Sequence, residues 1–192
     1  MNVTRATKAV VLGLFVAAAA FADSPAPSPS PMSPPAVLKV GDAAPDFSLP
    51  YATRDSVSSV DLKLSSLYGK GNIVLAFYPA DWSGGCTKEV CMMRDNFSAL
   101  GALNAQVLGL SGDYVFSHYE WAKHHNLPFA LVSDHKHEVA KMYGSYHEPS
   151  GHDRRTVYVI DKGGKIAYMD LAYSSRDSVS FGKLQDALKG IK

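Results

Sequence analysis

An α/β domain, with a mixed β-sheet covered by helices on both faces, is predicted by three features of the sequence. Residues 73–78, 106–111 and 156–160 are short runs rich in branched and aromatic side chains, the composition of strands buried on both faces. Between them lie stretches whose apolar residues recur at helical spacing. The last run is followed by Asp161-Lys162-Gly163-Gly164 and a further strand-like segment, 165–169, the pattern of a hairpin. Strands joined through helices are parallel and a hairpin adds an antiparallel strand, so the sheet is mixed.

The chain has 192 residues, 46% of them apolar, and a formal net charge of +1. That suffices for one well-buried domain and offers no basic surface for nucleic acid. Residues 1–22 read as a secretory signal: Arg5 and Lys8, an apolar run over 9–22, and Ala20-Phe21-Ala22 as a small-x-small cleavage site before Asp23. The apolar run is short of the roughly 20 residues that span a bilayer, and no Cys follows it to carry a lipid. A cleaved signal is expected, with an uncleaved anchor as the alternative. The address is periplasmic or otherwise extracytoplasmic, without stable membrane insertion. Cleavage would remove Arg5 and Lys8, leaving 17 basic against 18 acidic residues and a charge of −1. Residues 23–36 hold six of the eleven prolines among Ser and Ala and read as a disordered linker. The folded domain is expected over 37–192, a usual single-domain size.

Within it, Gly41 to Phe47 forms an entry turn leading to a short strand with Phe47 and Leu49. Leu62, Leu64 and Leu67 suggest a short helical or looped passage. After the central strand at 73–78, Cys86, Val90, Met93, Phe97 and Leu100 make one helical stripe. Residues 115–125 follow the strand at 106–111 as a helix with Phe116, Tyr119 and Ala122 on one side. A short strand is expected at 129–132 and a helix at 137–143, stopped by Gly144. Leu184, Ala187, Leu188 and Ile191 stripe the last helix.

The chemistry points to residues 77–91, which contain both cysteines of the chain, Cys86 and Cys91. In an exported protein a lone pair of cysteines is often a structural disulfide. Position and spacing argue against that reading. Cys86 stands in the first turn of its helix, where unpaired N–H groups and the helix dipole favour a thiolate, the nucleophilic form. Gly84 and Gly85 allow close backbone approach. Ser83 is placed to cap the helix or to offer its hydroxyl to a bound oxygen. Pro79, without an N–H, can wall the pocket. On an intact helix residues five apart are rotated by about 140° and have Cα atoms roughly 8.6 Å apart, beyond the ~7 Å reach of a disulfide. A bond between Cys86 and Cys91 therefore requires the helix to unwind locally, which suits a redox cycle better than a static staple.

Pro79-x-x-x-Ser83-x-x-Cys86 resembles the peroxiredoxin motif Pro-x-x-x-Thr/Ser-x-x-Cys. The second Cys five residues on, within Gly-Cys-Thr-Lys-Glu-x-Cys followed by Arg94-Asp95, resembles the PrxQ (bacterioferritin comigratory protein) branch of the AhpC/TSA family. The likeness runs from about Gly41 to Ile166 and includes Leu131-Val-Ser-Asp134, Glu138 to Gly144 and Arg155 to Asp161. It implies a thioredoxin-like fold and an antioxidant thiol peroxidase acting on hydrogen peroxide and organic hydroperoxides, serving cell redox homeostasis. By the same likeness Cys86 is the peroxidatic cysteine and Cys91 the resolving one, joined in an intramolecular disulfide during turnover. Ser83 matches the hydroxyl that binds peroxide, Pro79 the shield of the thiolate, Arg155 the supporting cation and Glu89 the partner that organises it. Strand alternation separates Arg155 from its neighbour Arg154, with Arg155 facing the site. The implied partners are the peroxide and a thioredoxin-like dithiol reductant. No cofactor and no metal are implied, and a monomer or weak homodimer is expected. Family members often carry Pro where Gly84 stands, and Trp82 is an unusually bulky neighbour, so the mouth of the pocket departs from the pattern.

Two other functions compete. An exported thioredoxin-like thiol-disulfide oxidoreductase would usually show Cys-x-x-Cys and a Pro in place of Arg155, and has neither here. A binding domain with a structural disulfide leaves the Pro79–Ser83–Cys86–Arg155 constellation without a purpose. The seven histidines lack the spacing of a metal site and read as solvated or packed residues.

Overall fold

The computed structural model describes residues 37–176 and 178–191; the expected signal and linker lie outside these. The elements in chain order are β1 (Ser48–Leu49), β2 (Tyr51–Ala52), β3 (Leu62–Lys63), a 3-10 turn (Leu64–Leu67), β4 (Asn72–Phe77), α1 (Gly84–Asp95), α2 (Phe97–Ala102) and β5 (Ala105–Ser111). Then come α3 (Val115–His124), β6 (Ala130–Ser133), α4 (Glu138–Met142), β7 (Tyr146–His147), a second 3-10 turn (Glu148–Ser150), β8 (His152–Asp153), β9 (Thr156–Ile160), β10 (Ile166–Asp170) and α5 (Val179–Gly190).

The main sheet has the order β10-β9-β4-β5-β6-β2. Its centre is parallel, β4 with β5 and β5 with β6, while β9, β10 and β2 run antiparallel to their neighbours. Every residue of β4 is buried, and its side chains alternate between two cores. Val74 and Ala76 meet α1, α2, α3 and α5 through residues such as Val90, Met93, Leu100, Trp121 and Leu184. Ile73, Leu75 and Phe77 meet α4, the first 3-10 turn and Phe47 on the other face. Helices thus lie on both faces of a mixed sheet, as the sequence predicts. No described helix is long and apolar enough to cross a membrane.

Two expectations need correction, and three short strands were not anticipated. The stripe from Cys86 to Leu100 belongs to two helices, because Asn96 (φ −107°, ψ 13°) ends α1, its side-chain amide donating to the Met92 carbonyl, and starts α2. The buried face of α3 is His118, Trp121 and Ala122, whereas Phe116 is 71% exposed. Apolar periodicity misplaced that face because a polar ring occupies its centre. The short strands β2, β7 and β8, two residues each, carry too little sequence for any period to register.

The segment that joins β4 to α1 is held by buried polar contacts. Asp81 is buried and accepts from the Tyr78 hydroxyl (2.9 Å) and the Ser117 hydroxyl (2.7 Å), and the His118 Nδ1 atom lies 2.9 Å from it. The other ring nitrogen of His118 faces the Val132 carbonyl at 3.2 Å. The Asp81 N–H donates to Asp113 (2.8 Å), which also accepts from Ser111. In this largely buried setting these groups stabilise the loop as a set, since an orphaned carboxylate is costly. His118→Ala should therefore lower unfolding stability by roughly 3 kcal/mol or more. Urea denaturation monitored by circular dichroism checks this; a change below about 1 kcal/mol would refute the anchoring role.

Candidate active site

The site is assembled where the parallel strands end. β4 leads through Tyr78, Pro79, Ala80, Asp81 and Trp82 to Ser83, the N-cap of α1, whose side chain accepts from the Cys86 N–H at 3.3 Å. A Ser at this position satisfies one of the orphan donors of the first turn. Cys86 is the third residue of α1 and fully buried, and Cys91 lies further along the same helix, partly exposed. Both thiols are free. The wound helix keeps them apart, as its geometry requires.

Arg155 arrives from the far end of the sequence through sheet register. β9 runs antiparallel to β4 with Thr156 opposite Phe77, so the residue just before β9 stands beside the exit of β4. Its Nη1 donates to Glu89 Oε2 at 2.7 Å, and Glu89 is fully buried on the second turn of α1. Arg154 is exposed. A Cβ on Gly85 would fall 2.7 Å from Arg155 Nη2, so the guanidinium rests directly on the backbone of the residue before Cys86. A side chain at this position would push the guanidinium aside, so Gly lets it sit this close.

Electrostatics follow from this packing. Burial raises the Glu89 carboxyl to about 7 against the opposing pull of Arg155, and Glu89 Oε1 has no hydrogen-bond partner. Burial works against the Arg155 charge, but the Glu89 carboxylate, and then the Cys86 sulfur, hold it on and raise its pKa. One permanent cation thus faces both a buried carboxyl and a buried thiol.

Cys86, Ser83, Arg155 and Glu89 come together around the first turns of α1, with Pro79 on the same loop and Cys91 on the helix beyond. The anchors Asp81, Ser117 and His118 escaped sequence reading, as did His125, whose Nδ1 lies 3.9 Å from Cys91 Sγ. The histidines are solvated or packed as expected, only His118 being buried and His124, His135 and His152 being exposed, but some are also bonded: His118 to Asp81, and His137 to Asp153 at 2.7 Å. Trp82, at φ +60°, lies over His124 and His125 with ring centroids 5.6 and 6.3 Å away.

The AhpC/TSA family model matches residues 40–169. A chloroplastic peroxiredoxin Q of Triticum aestivum is 38% identical over 167 residues, covering 85% of this chain and 74% of that protein. A protein of Coxiella burnetii named as a peroxiredoxin bcp is 38% identical over 136 residues, covering 68% of this chain and 86% of the other. Among solved structures, the peroxidoxin BcpB of Mycobacterium tuberculosis superimposes with a TM-score of 0.69 at 31% identity, over 81% of this chain and 99% of that one. The fold is the thioredoxin-like fold of these proteins, and the chain belongs to the AhpC/TSA family as a peroxiredoxin of the Q/bcp type, a thiol-dependent peroxidase.

Proposed function

We propose that Cys86 is the peroxidatic cysteine and Cys91 the resolving one. The observation that carries this reading is the Arg155 guanidinium, seated on Gly85 at the start of the Cys86 helix and ion-paired with buried Glu89. The Cys86 thiolate attacks one peroxide oxygen, the O–O bond breaks, and the other oxygen leaves as water or alcohol after taking a proton. Arg155 stabilises charge moving onto that leaving oxygen, and the Ser83 hydroxyl hydrogen is free to be donated to the bound peroxide. Pro79 walls the pocket without competing for hydrogen bonds. Cys86 becomes a sulfenic acid, which condenses with Cys91 to a disulfide and water once the first turns of α1 unwind. A thioredoxin-like dithiol then reduces the disulfide. The substrates are hydrogen peroxide and organic hydroperoxides. The protein acts as a monomer or weak homodimer in an extracytoplasmic compartment, reached through a signal over residues 1–22.

In stopped-flow oxidation by hydrogen peroxide, Cys86→Ser should consume none, whereas Cys91→Ser should complete one turnover and accumulate sulfenic acid. Equal rates for the wild type and Cys86→Ser would refute the assignment. Intact mass of the exported protein should correspond to a chain beginning at Asp23; a retained Met1 would favour the anchor instead.

Glu89 gives a pH signature. Its carboxyl ionises near 4.5 unfolded and at about 7 folded, so its contribution to stability is full below 4.5 and is lost as pH rises through 7. Asp153, raised by burial to about 7 and held back by His137, adds a similar trend, so only the difference between proteins is diagnostic. Glu89→Gln should lessen the fall in stability between pH 5 and 8 by on the order of 2–3 kcal/mol, measured by urea denaturation at each pH. Parallel curves for the two proteins would contradict the burial argument.

A further inference from the structure

We propose that His125 is the general base of the resolving step, taking the proton of the Cys91 thiol before Cys91 attacks oxidised Cys86. The proposal rests on the assignment of Cys86 and Cys91 given above. Its basis is the contact of His125 Nδ1 with Cys91 Sγ at 3.9 Å, joined by a second contact that fixes it. Arg94, one helical turn beyond Cys91, donates from Nη1 to the His125 carbonyl at 2.8 Å, while the rest of its guanidinium is taken up by Asp95 at 2.8 Å. The C-terminal half of α1 is thereby fastened to the C-terminus of α3. The ring itself is held on three sides, by Trp121 edge-on at 5.8 Å, His124 edge-on at 4.7 Å and Trp82 at 6.3 Å.

This surrounding also sets the charge state. The groups that face His125 are Cys91 and Arg94 from α1 and His124 from its own helix, with the two tryptophan rings uncharged. Burial, His124 and Arg94 each disfavour the imidazolium and hold the ring below its ordinary value. At neutral pH the ring is therefore a neutral imidazole; with its proton on Nε2, Nδ1 is an acceptor aimed at the thiol. The Cys91 proton passes to Nδ1, and the Cys91 sulfur attacks the sulfenic sulfur of Cys86. The S–S bond forms as the S–O bond breaks, and hydroxide takes up a proton and leaves as water. The two sulfurs end at the same oxidation level, so the step needs no outside oxidant or reductant.

Geometry also says which end of the helix moves. Cys91 stays beside His125 because Arg94 pins that half of α1, while the Cys86 end, with Gly84 and Gly85 in its first turn, unwinds toward it.

The test is double-mixing stopped-flow on the full-length reduced protein with hydrogen peroxide, following tryptophan fluorescence and, in parallel, sulfenic acid trapped by dimedone. The peroxide-dependent first phase reports Cys86 oxidation and the peroxide-independent second phase reports the disulfide. In His125→Asn the second phase should slow relative to the first by about 10- to 100-fold, toward the range removed with a general base. Its pH profile should lose the ionisation that the wild type shows below about 6.5. In His125→Ala added imidazole should restore the second phase, which a packing role would not allow. In the wild type the second phase should rise with a single ionisation below about 6.5, a readout independent of whether the variants fold. A second phase with the same rate and pH profile in wild type and His125→Asn overturns the role of His125 alone. Absence of the first phase in the wild type overturns the assignment of Cys86 and this proposal with it.

Discussion

The ion pair between Arg155 and Glu89 ties together the two halves of the chain that make the site. Glu89 is fully buried, and a lone carboxylate in that setting would stay protonated or unfold its surroundings. Its partner comes from the residue before β9, and the antiparallel register of β9 against β4 brings that residue to the exit of β4. Glu89 in turn stands three residues after Cys86, on the same side of α1. The pair therefore fixes a cation against the first turn of the helix, and Gly85 provides the space for it. Changing the sheet order or the helix start would separate charge from thiol, and a side chain at Gly85 would displace the guanidinium.

The same helix has two ends of different character. Its first two turns contain two glycines and are held by one serine cap, one ion pair and the burial of Cys86 and Val90. Its last turns are anchored to α3 by Arg94. Glycine is a poor helix former, so the unwinding that the proposed cycle requires would concentrate at the end that carries Cys86. A helix stable throughout would keep Cys86 and Cys91 beyond bonding distance for good. One weak throughout would not hold Cys86 in the field of Arg155.

The fold class, the main strands and the order of the helices were legible because each has a clear period or an unbroken apolar run. The position of Cys86, its Ser83 cap and its helical separation from Cys91 were legible for a related reason: they depend on residues close in sequence. Arg155 and Glu89 were found through family likeness, since no local pattern says that residues 66 positions apart meet. The contacts of Asp81, Ser117, His118 and His125 were not legible. A polar residue on a buried helix face breaks the apolar period it belongs to, and its partner lies on an element whose placement is set by the sheet. His118 shows this most directly, because its burial rotated the inner face of α3 away from the one that Phe116 and Tyr119 suggest.

α3 then emerges as the common reference for both sulfurs. Its first turns hold the loop before Cys86 through Ser117 and His118, and its end faces Cys91 through His125. Trp82 spans the two, donating from Nε1 to Ser117 at 3.3 Å while its ring lies over His124 and His125. A bulky residue at φ +60° is uncommon and adopts that conformation at a cost of about 1–2 kcal/mol. Such strain persists where neighbouring contacts over-determine the backbone, and the Asp81 set on one side and the Ser83 cap on the other do so here. A rigid strut behind a pliable first turn restricts motion to the segment that must move. On the proposed cycle, the loop that would receive peroxide and the helix end that carries Cys91 would stay in place while Cys86 travels between them.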